Sequence, residues 1–245
     1  MRRLQRARPL HQQAARALLD AIRDMDAKEN RLPSEEELTR RLGVSRATVR
    51  EALQALVAAG VITRRHGKGT YAHPSVLAIR HRVDQNPDFR DLLAEPGRTV
   101  CVEPGPFDRT EPTETMRWRM PDLPEGRVWV WEWAYHRDGE LCVIARMQIP
   151  EGFFVRPPAH TGEETVSSFV ARYCGRDLAC FASWIGALDE PDIARRFGTP
   201  QTVVQRWEEV YRDLRDQAVC YASVFFHPER MEPAILTSLG SSGDV

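Results

Sequence analysis

The sequence predicts an α+β protein in two parts: a short helical unit closed by a β-hairpin, then a mostly antiparallel sheet with helices. Three observations lead there. Apolar residues early in the chain recur at helical spacing and are followed by a glycine-containing strand pair. Later segments are β-branched and aromatic, arranged as hairpins with helices between them. Charge divides at the same place: residues 1–73 hold 15 Lys/Arg against 8 Asp/Glu, a net of +7, and residues 74–245 hold 19 against 27, a net of −8.

A length of 245 residues favours two modest domains over one large one. With 42% hydrophobic and 28% charged residues, the chain reads as an ordinary soluble globular protein. No apolar run approaches the roughly 20 residues needed to cross a bilayer. Arg2, Arg3, Arg6 and Arg8 are followed by no apolar segment, so a secretory signal is not expected, and the expected location is the cytoplasm, without a membrane partner. Cys101, Cys142, Cys174, Cys180 and Cys220 are odd in number, scattered, and form no CxxC pair. Buried, reduced thiols are therefore expected, rather than a disulfide framework or a metal site, and nothing points to a cofactor.

The first helix is read over 9–27, where Leu10, Ala14, Leu18, Ala21, Ile22 and Met25 fall on one face and Pro9 suits a first turn. A second begins at Ser34, which forms an S-x-x-E capping pattern with Glu37, and stops at Gly43. Ser45 can cap a third, with Val49, Leu53 and Leu56 inward and Gly60 at its end. Two helices meeting across Gly43-Val44-Ser45 have helix-turn-helix geometry, in which the second helix enters the major groove. The face opposite Val49 and Leu53 presents Arg46, Ala47, Arg50 and Gln54, with Ser45 and Thr48 at its N-terminal end. An arginine there can grip a guanine edge or a phosphate. A strand over 61–64, a turn over 65–69 and a strand over 70–72 follow. Gly67 and Gly69 allow close approach of the backbone to phosphate, and His66 and Lys68 can reach the minor groove or backbone. That hairpin is a wing.

Residues 75–97 read as a linker holding one short helix, 88–93. Beyond it, Val128–Tyr135, the Asp138-Gly139 turn and Leu141–Pro150 make a hairpin. A second pair spans 202–212 and 218–226, and between the two pairs lie a helix at 166–174, a strand at 178–187 and a helix at 190–197. The glycine- and serine-containing end, 234–245, is expected to be disordered.

The order and spacing of the early elements are more specific than any one of them. The stretch LPSEEELTRRLGVSRATVREALQALVAAGVITRRHGKGTYA resembles the winged helix of the GntR family almost residue for residue. The resemblance implies that Arg46, Thr48, Arg50, His66 and Gly67 contact DNA. With Ser34, Ser45, Ala47 and Lys68 they form the candidate interface of a winged helix-turn-helix domain at 1–74. Glu36 stands where the P-S-E-R-E motif of the family carries Arg, so one usual phosphate contact is expected to be missing. The stretches LPEGRVWVWEWAYHRDGELCVIARMQIP, DEPDIARRFGTP and DQAVCYASVFFHPERM look like the UTRA domain of the HutC subfamily, a chorismate-lyase-like fold, over 98–233. In such domains an arginine of an E-R-S-Y-x-P strand grips a small organic anion.

Arg146 occupies that place, as a ligand contact or as a structural ion pair. Tyr221 is retained from a V-E-Y-S-R motif whose Glu and Arg positions hold Cys220 and Ser223. Thr165 stands at the start of a helix, as an anion contact or as a plain N-cap. Without the two charged partners the pocket is expected to be less polar, and the effector less charged or more hydrophobic. Trp129, Trp131, Trp133 and Trp184 add aromatic surface, though such stripes are more often core.

The resulting expectation is a homodimeric repressor, on a palindromic double-stranded operator, whose affinity is set by an unidentified small effector. Alternatives are a C-terminal domain that only dimerises or binds a protein partner, or a lyase-like enzyme. Against the enzyme, Cys220 replaces a carboxylate and His136, His160 and His227 form no readable triad.

Overall fold

In the computed structural model, the described residues are 9–26, 29–85, 88–159, 162 and 164–237. The chain divides into two compact units, Met1–Gln85 with Pro233–Val245, and Asn86–Glu232.

The first unit is built on α1 (Leu10–Arg23), α2 (Glu35–Leu42) and α3 (Arg46–Ala58). Ala14, Leu18 and Ile22 of α1 pack with Leu38 of α2 and Val49, Ala52, Leu53 and Leu56 of α3. The first helix ends at Arg23, short of the expected end at 27, which lies outside the described residues. Ser34 Oγ accepts the Glu37 N–H at 3.2 Å, but the Glu37 carboxylate goes forward to Arg41 at 2.7 Å rather than back to complete a capping box. Gly43 closes α2 at φ +64°, a left-handed conformation that a Cβ would strain, and Ser45 then caps α3 by accepting the Thr48 N–H at 3.1 Å. β1 (Ile62–Arg65) and β2 (Gly69–Ala72) form the wing, and Ile62 and Ala72 are its buried residues. Residues 30–32 run along the other side of β2: Leu32 N–H donates to Thr70 C=O at 2.8 Å and Ala72 N–H to Asn30 C=O at 2.7 Å.

Two expectations are corrected here. Residues 75–97 hold the short helix expected at 88–93, but they do more than link. A 3₁₀ helix at Pro74–Ala78 lays Val76 and Leu77 on the helical core, and α4 (Phe89–Leu93) buries Phe89 and Leu93 in the second unit. Nor is 234–237 a loose tail. Ala234 N–H donates to His81 C=O at 3.0 Å, Val83 N–H donates to Ala234 C=O at 3.1 Å, and Leu236 lies against Gly60. The rest of that predicted tail, 238–245, lies outside the described residues.

The second unit is one antiparallel sheet in the order β3-β5-β6-β9-β8-β7, with β4 paired to the far end of β5. Its strands are β3 (Val100–Pro104), β4 (Asp108–Thr110), β5 (Val128–Arg137), β6 (Glu140–Pro150), β7 (Leu178–Asp189), β8 (Val203–Asp213) and β9 (Ala218–Phe226). Helices cover both faces, so the central strands β6 and β9 are buried almost throughout and lose the polar alternation of a half-exposed strand. On one face, Phe169 of α6 (Val166–Cys174) packs into Trp131 and Trp133, with ring centroids 4.6 and 5.9 Å away. Those tryptophans are core. On the other face, Met116 of α5 (Glu114–Arg119) meets Val128, Val210 and Tyr221, while Ile193 and Phe197 of α7 (Pro191–Phe197) meet Ile144 and Phe225.

All five cysteines are free thiols; Cys142, Cys174 and Cys220 are buried, and burial pushes Cys174 up to about 11. Cys101 and Cys180 are exposed, which the expectation of buried thiols did not distinguish. Among the described residues, no helix is long and apolar enough to cross a membrane.

Candidate nucleic-acid interface and ligand cavity

Helix α3 buries Val49, Ala52, Leu53 and Leu56, which turns Arg46, Ala47, Arg50 and Gln54 outward. Ser45 and Thr48 mark its N-terminal end, their hydroxyls 2.9 Å apart. His66, Gly67 and Lys68 are exposed at the wing tip, where Lys68 N–H donates to Arg65 C=O at 3.1 Å. Ser34 is exposed as the cap of α2.

Sequence reasoning missed the clamp that ties these parts together. Arg50 Nε donates to Glu35 Oε2 at 2.8 Å, and Arg64 of β1 donates to the other oxygen of the same carboxylate. The Arg50 guanidinium, with Arg64 beside it, holds the Glu35 carboxyl below the usual carboxylate range. One half-buried carboxylate thus links α2, α3 and the wing and fixes two exposed cations. Arg31, Arg64 and Arg65 join His66 in a shallow groove beside the wing. Arg64 and Arg65 could have been found from sequence, since they precede the turn directly; Arg31 could not, because its place follows from pairing with Tyr71. Glu36 is exposed and lies 3.7 Å from Arg46.

In the second unit a cavity of about 470 Å³ opens between the α4 and α6 side of the sheet and the start of β7. Its wall includes Phe89, Tyr135, Phe181 and Tyr211, its floor Ala145, Met147 and Val224, and its polar groups Asp88, Thr165, Ser167 and Glu209. Of the three predicted effector contacts only Thr165 lies here. Its hydroxyl accepts the Ser168 N–H at 3.1 Å, while Ser168 Oγ accepts the Thr165 N–H at 2.9 Å, a complete capping box.

Arg146 belongs to the opposite face, because its neighbours Ala145 and Met147 point into the cavity and side chains alternate along a strand. It makes a two-pronged pair with Glu132, at 2.9 and 2.8 Å, and Glu132 also holds Arg196 at 2.7 Å. Tyr221 is buried among Met116, Met120 and Val210 on that same face. The structure does not bring these three residues together.

Glu209, which the sequence did not single out, is 2% exposed. Its carboxylate accepts from Tyr211 Oη at 2.6 Å and from Ser183 Oγ at 3.3 Å, and burial pushes its carboxyl above the ordinary value.

Comparison with known proteins places the first unit. Residues 10–72 match the family described as "Bacterial regulatory proteins, gntR family". The likeness to that family thus lies within the first unit. TreR of Bacillus subtilis (strain 168), an HTH-type transcriptional regulator, is 27% identical over 158 residues, 62% of this chain and 62% of its own. The mannosyl-D-glycerate transport/metabolism system repressor MngR of Escherichia coli (strain K12) is 28% identical over 148 residues, 60% of this chain and 61% of its own. The chain therefore spans about three fifths of the length of these curated relatives. Over 94% of this chain the fold resembles all of YydK from Bacillus subtilis, described as a possible transcriptional regulator, with a TM-score of 0.71 at 13% identity. At that identity the likeness concerns fold alone: the helical unit with its hairpin, then the antiparallel sheet with helices.

Proposed function

We propose that this chain is a DNA-binding transcriptional repressor of the HutC type, with a UTRA-like C-terminal domain that takes a small effector. The observation that carries the reading is the exposed face of α3, with Arg46, Ala47 and Arg50 outward and a cation-lined wing beside it. A helix of that kind fits a major groove about 12 Å wide, and the wing cations suit the flanking backbone. The repressor role of its relative MngR supports the sign of the regulation. The cavity falls within the roughly 300–1,000 Å³ that small-molecule sites occupy.

Homodimerisation is part of the same proposal. A palindrome read by two helices requires two copies with half-sites about one helical turn apart. Strand β7 is a sheet edge bearing exposed Trp184, Ile185 and Leu188, and an apolar edge of that length invites cover.

The test is selection of duplexes from a random pool on purified full-length protein, followed by binding measured across salt concentrations. The expected result is one preferred, two-fold symmetric sequence, with affinity falling steeply as salt rises. Binding that neither prefers a sequence nor responds to salt would refute the proposal.

A further inference from the structure

This inference rests on the reading of the C-terminal unit as an effector domain and concerns the chemistry of what it takes. We infer that its cavity binds a small organic cation, an amine or quaternary ammonium with an apolar or aromatic body, whose positive head sits at Glu209.

Two independent features of the cavity point the same way. The first is charge. Asp88 and Glu209 both line it, and the described lining residues include neither lysine nor arginine. Arg146, which would have supplied a cation for an anionic ligand, lies on the other face of the sheet and is held by Glu132. Arg90, next to Phe89, directs its guanidinium to the Glu164 carbonyl at 2.6 Å. Among the described lining residues an anion would therefore find no lysine or arginine, whereas a cation would find the Glu209 carboxylate.

The second feature is aromatic. Phe181 and Tyr211 stack at 5.0 Å, and Phe89 meets Tyr135 edge-on at 5.5 Å. All four rings line the cavity. Aromatic walls around a carboxylate are a recurring solution for ammonium groups, because ring faces carry negative charge density without the desolvation cost of another ion. The partners of Glu209 are hydroxyls, from Tyr211 and Ser183, so they orient the carboxylate without neutralising it. Burial of an uncompensated charge is costly, and the raised Glu209 carboxyl reflects that cost; an ammonium at hydrogen-bonding distance removes it. The aliphatic floor, Ala145, Met147 and Val224, suits the body of such a ligand.

The experiment uses full-length protein and three probes of matched shape: phenethylamine, phenethyl alcohol and 3-phenylpropionate. Calorimetric titration should give an amine affinity at least about tenfold above that of the alcohol, with the carboxylate weakest. Glu209→Gln should weaken the amine about tenfold or more while leaving the alcohol within about threefold. Phe181→Ala, at the cavity rim, should weaken the amine severalfold. Far-ultraviolet dichroism of both variants checks that they fold.

The inference is overturned if the carboxylate binds as well as the amine, if Glu209→Gln leaves the amine preference intact, or if millimolar amine gives no heat and no thermal shift. Operator binding is measured separately. Protein that grips its operator but prefers the carboxylate overturns this inference alone. Protein that prefers the amine but grips no duplex overturns the regulator reading alone.

Discussion

Glu36 offers the sharpest test of how the first unit meets DNA. It is 79% exposed at the N-terminal turn of α2 and lies 3.7 Å from Arg46, itself 62% exposed. Coulomb attraction at that distance is about 1 kcal/mol in water, and side-chain mobility and salt reduce it to about 0.2–1 kcal/mol. This attraction competes with any contact Arg46 makes to DNA, and the carboxylate itself repels nearby phosphate. Glu36→Gln removes both effects and should tighten operator binding by roughly two- to fivefold. Glu36→Arg goes further by adding one phosphate contact. The slope of log affinity against log salt should steepen by about 0.9, and low-salt affinity should rise about tenfold. The assay is fluorescence anisotropy of a selected operator duplex at four or more salt concentrations, with both variants checked for unchanged thermal stability. Unchanged affinity and slope in Glu36→Arg would mean that the start of α2 does not face the phosphate backbone, and the docking orientation proposed for α3 would be wrong with it.

Other perturbations test other parts of the argument. Arg50→Ala should weaken operator binding roughly tenfold to a hundredfold while lowering the melting temperature only slightly, since Arg50 points away from the core and what it gives up is an exposed pair with Glu35, which keeps Arg64; anisotropy and calorimetry check both. Gly60→Ala should destabilise the first unit by about 1–2 kcal/mol in urea unfolding, because φ is +68° and a Cβ there would lie 2.5 Å from a Leu236 methyl. In a chain ending at Glu232 that cost should shrink to the backbone part alone. The Glu209 carboxyl is raised in the folded state, so its favourable contribution is complete below the unfolded value and is lost as pH rises through the folded one. Glu209→Gln should therefore raise the melting temperature at neutral pH, with the gain shrinking toward pH 4, and a gain that grew on acidification would contradict the sign. Arg146→Ala should leave effector affinity unchanged and lower stability, because the lost partner leaves Glu132 with Arg196 alone among the pairs described above.

The first unit was legible because its signals are local. The stripe of α1, the Ser34 and Ser45 caps and the Gly43 stop each act within a turn or two of chain; the structure realises the caps and the stop, and of the stripe it buries Ala14, Leu18 and Ile22 while leaving Leu10 and Ala21 exposed. The Glu35 clamp was not legible, because its two arginines lie 15 and 29 residues away and meet only once the wing folds back. The same holds for Arg31 beside β2 and for the return of 234–237. In the second unit the β5–β6 hairpin announced itself through Asp138-Gly139, both with positive φ, and β8 and β9 through continuous β-branched and aromatic runs. β3, β4 and α5 went unread because each is six residues or fewer and paired or packed non-locally. Arg146 was assigned by motif, and the motif does not say which sheet face a residue takes when both faces are covered.

That ambiguity of face decides the chemistry of the second unit, as Glu208 and Glu209 demonstrate. They are adjacent on β8 and both nearly fully buried, at 6% and 2% exposure. Alternation sends them to opposite faces. Glu208 meets Arg119 at 2.8 Å, and Arg206 as well, with Arg119 stacked between Trp118 and Trp184. Its charge is neutralised within the fold. Glu209 meets hydroxyls and the aromatic wall of the cavity. A buried carboxylate is tolerated when it is paired, when it is protonated, or when something from outside supplies the pairing. The fold takes the first course on one face. On the other face the partners are hydroxyls alone, which leaves the second carboxylate's charge to pH and to the cation proposed above.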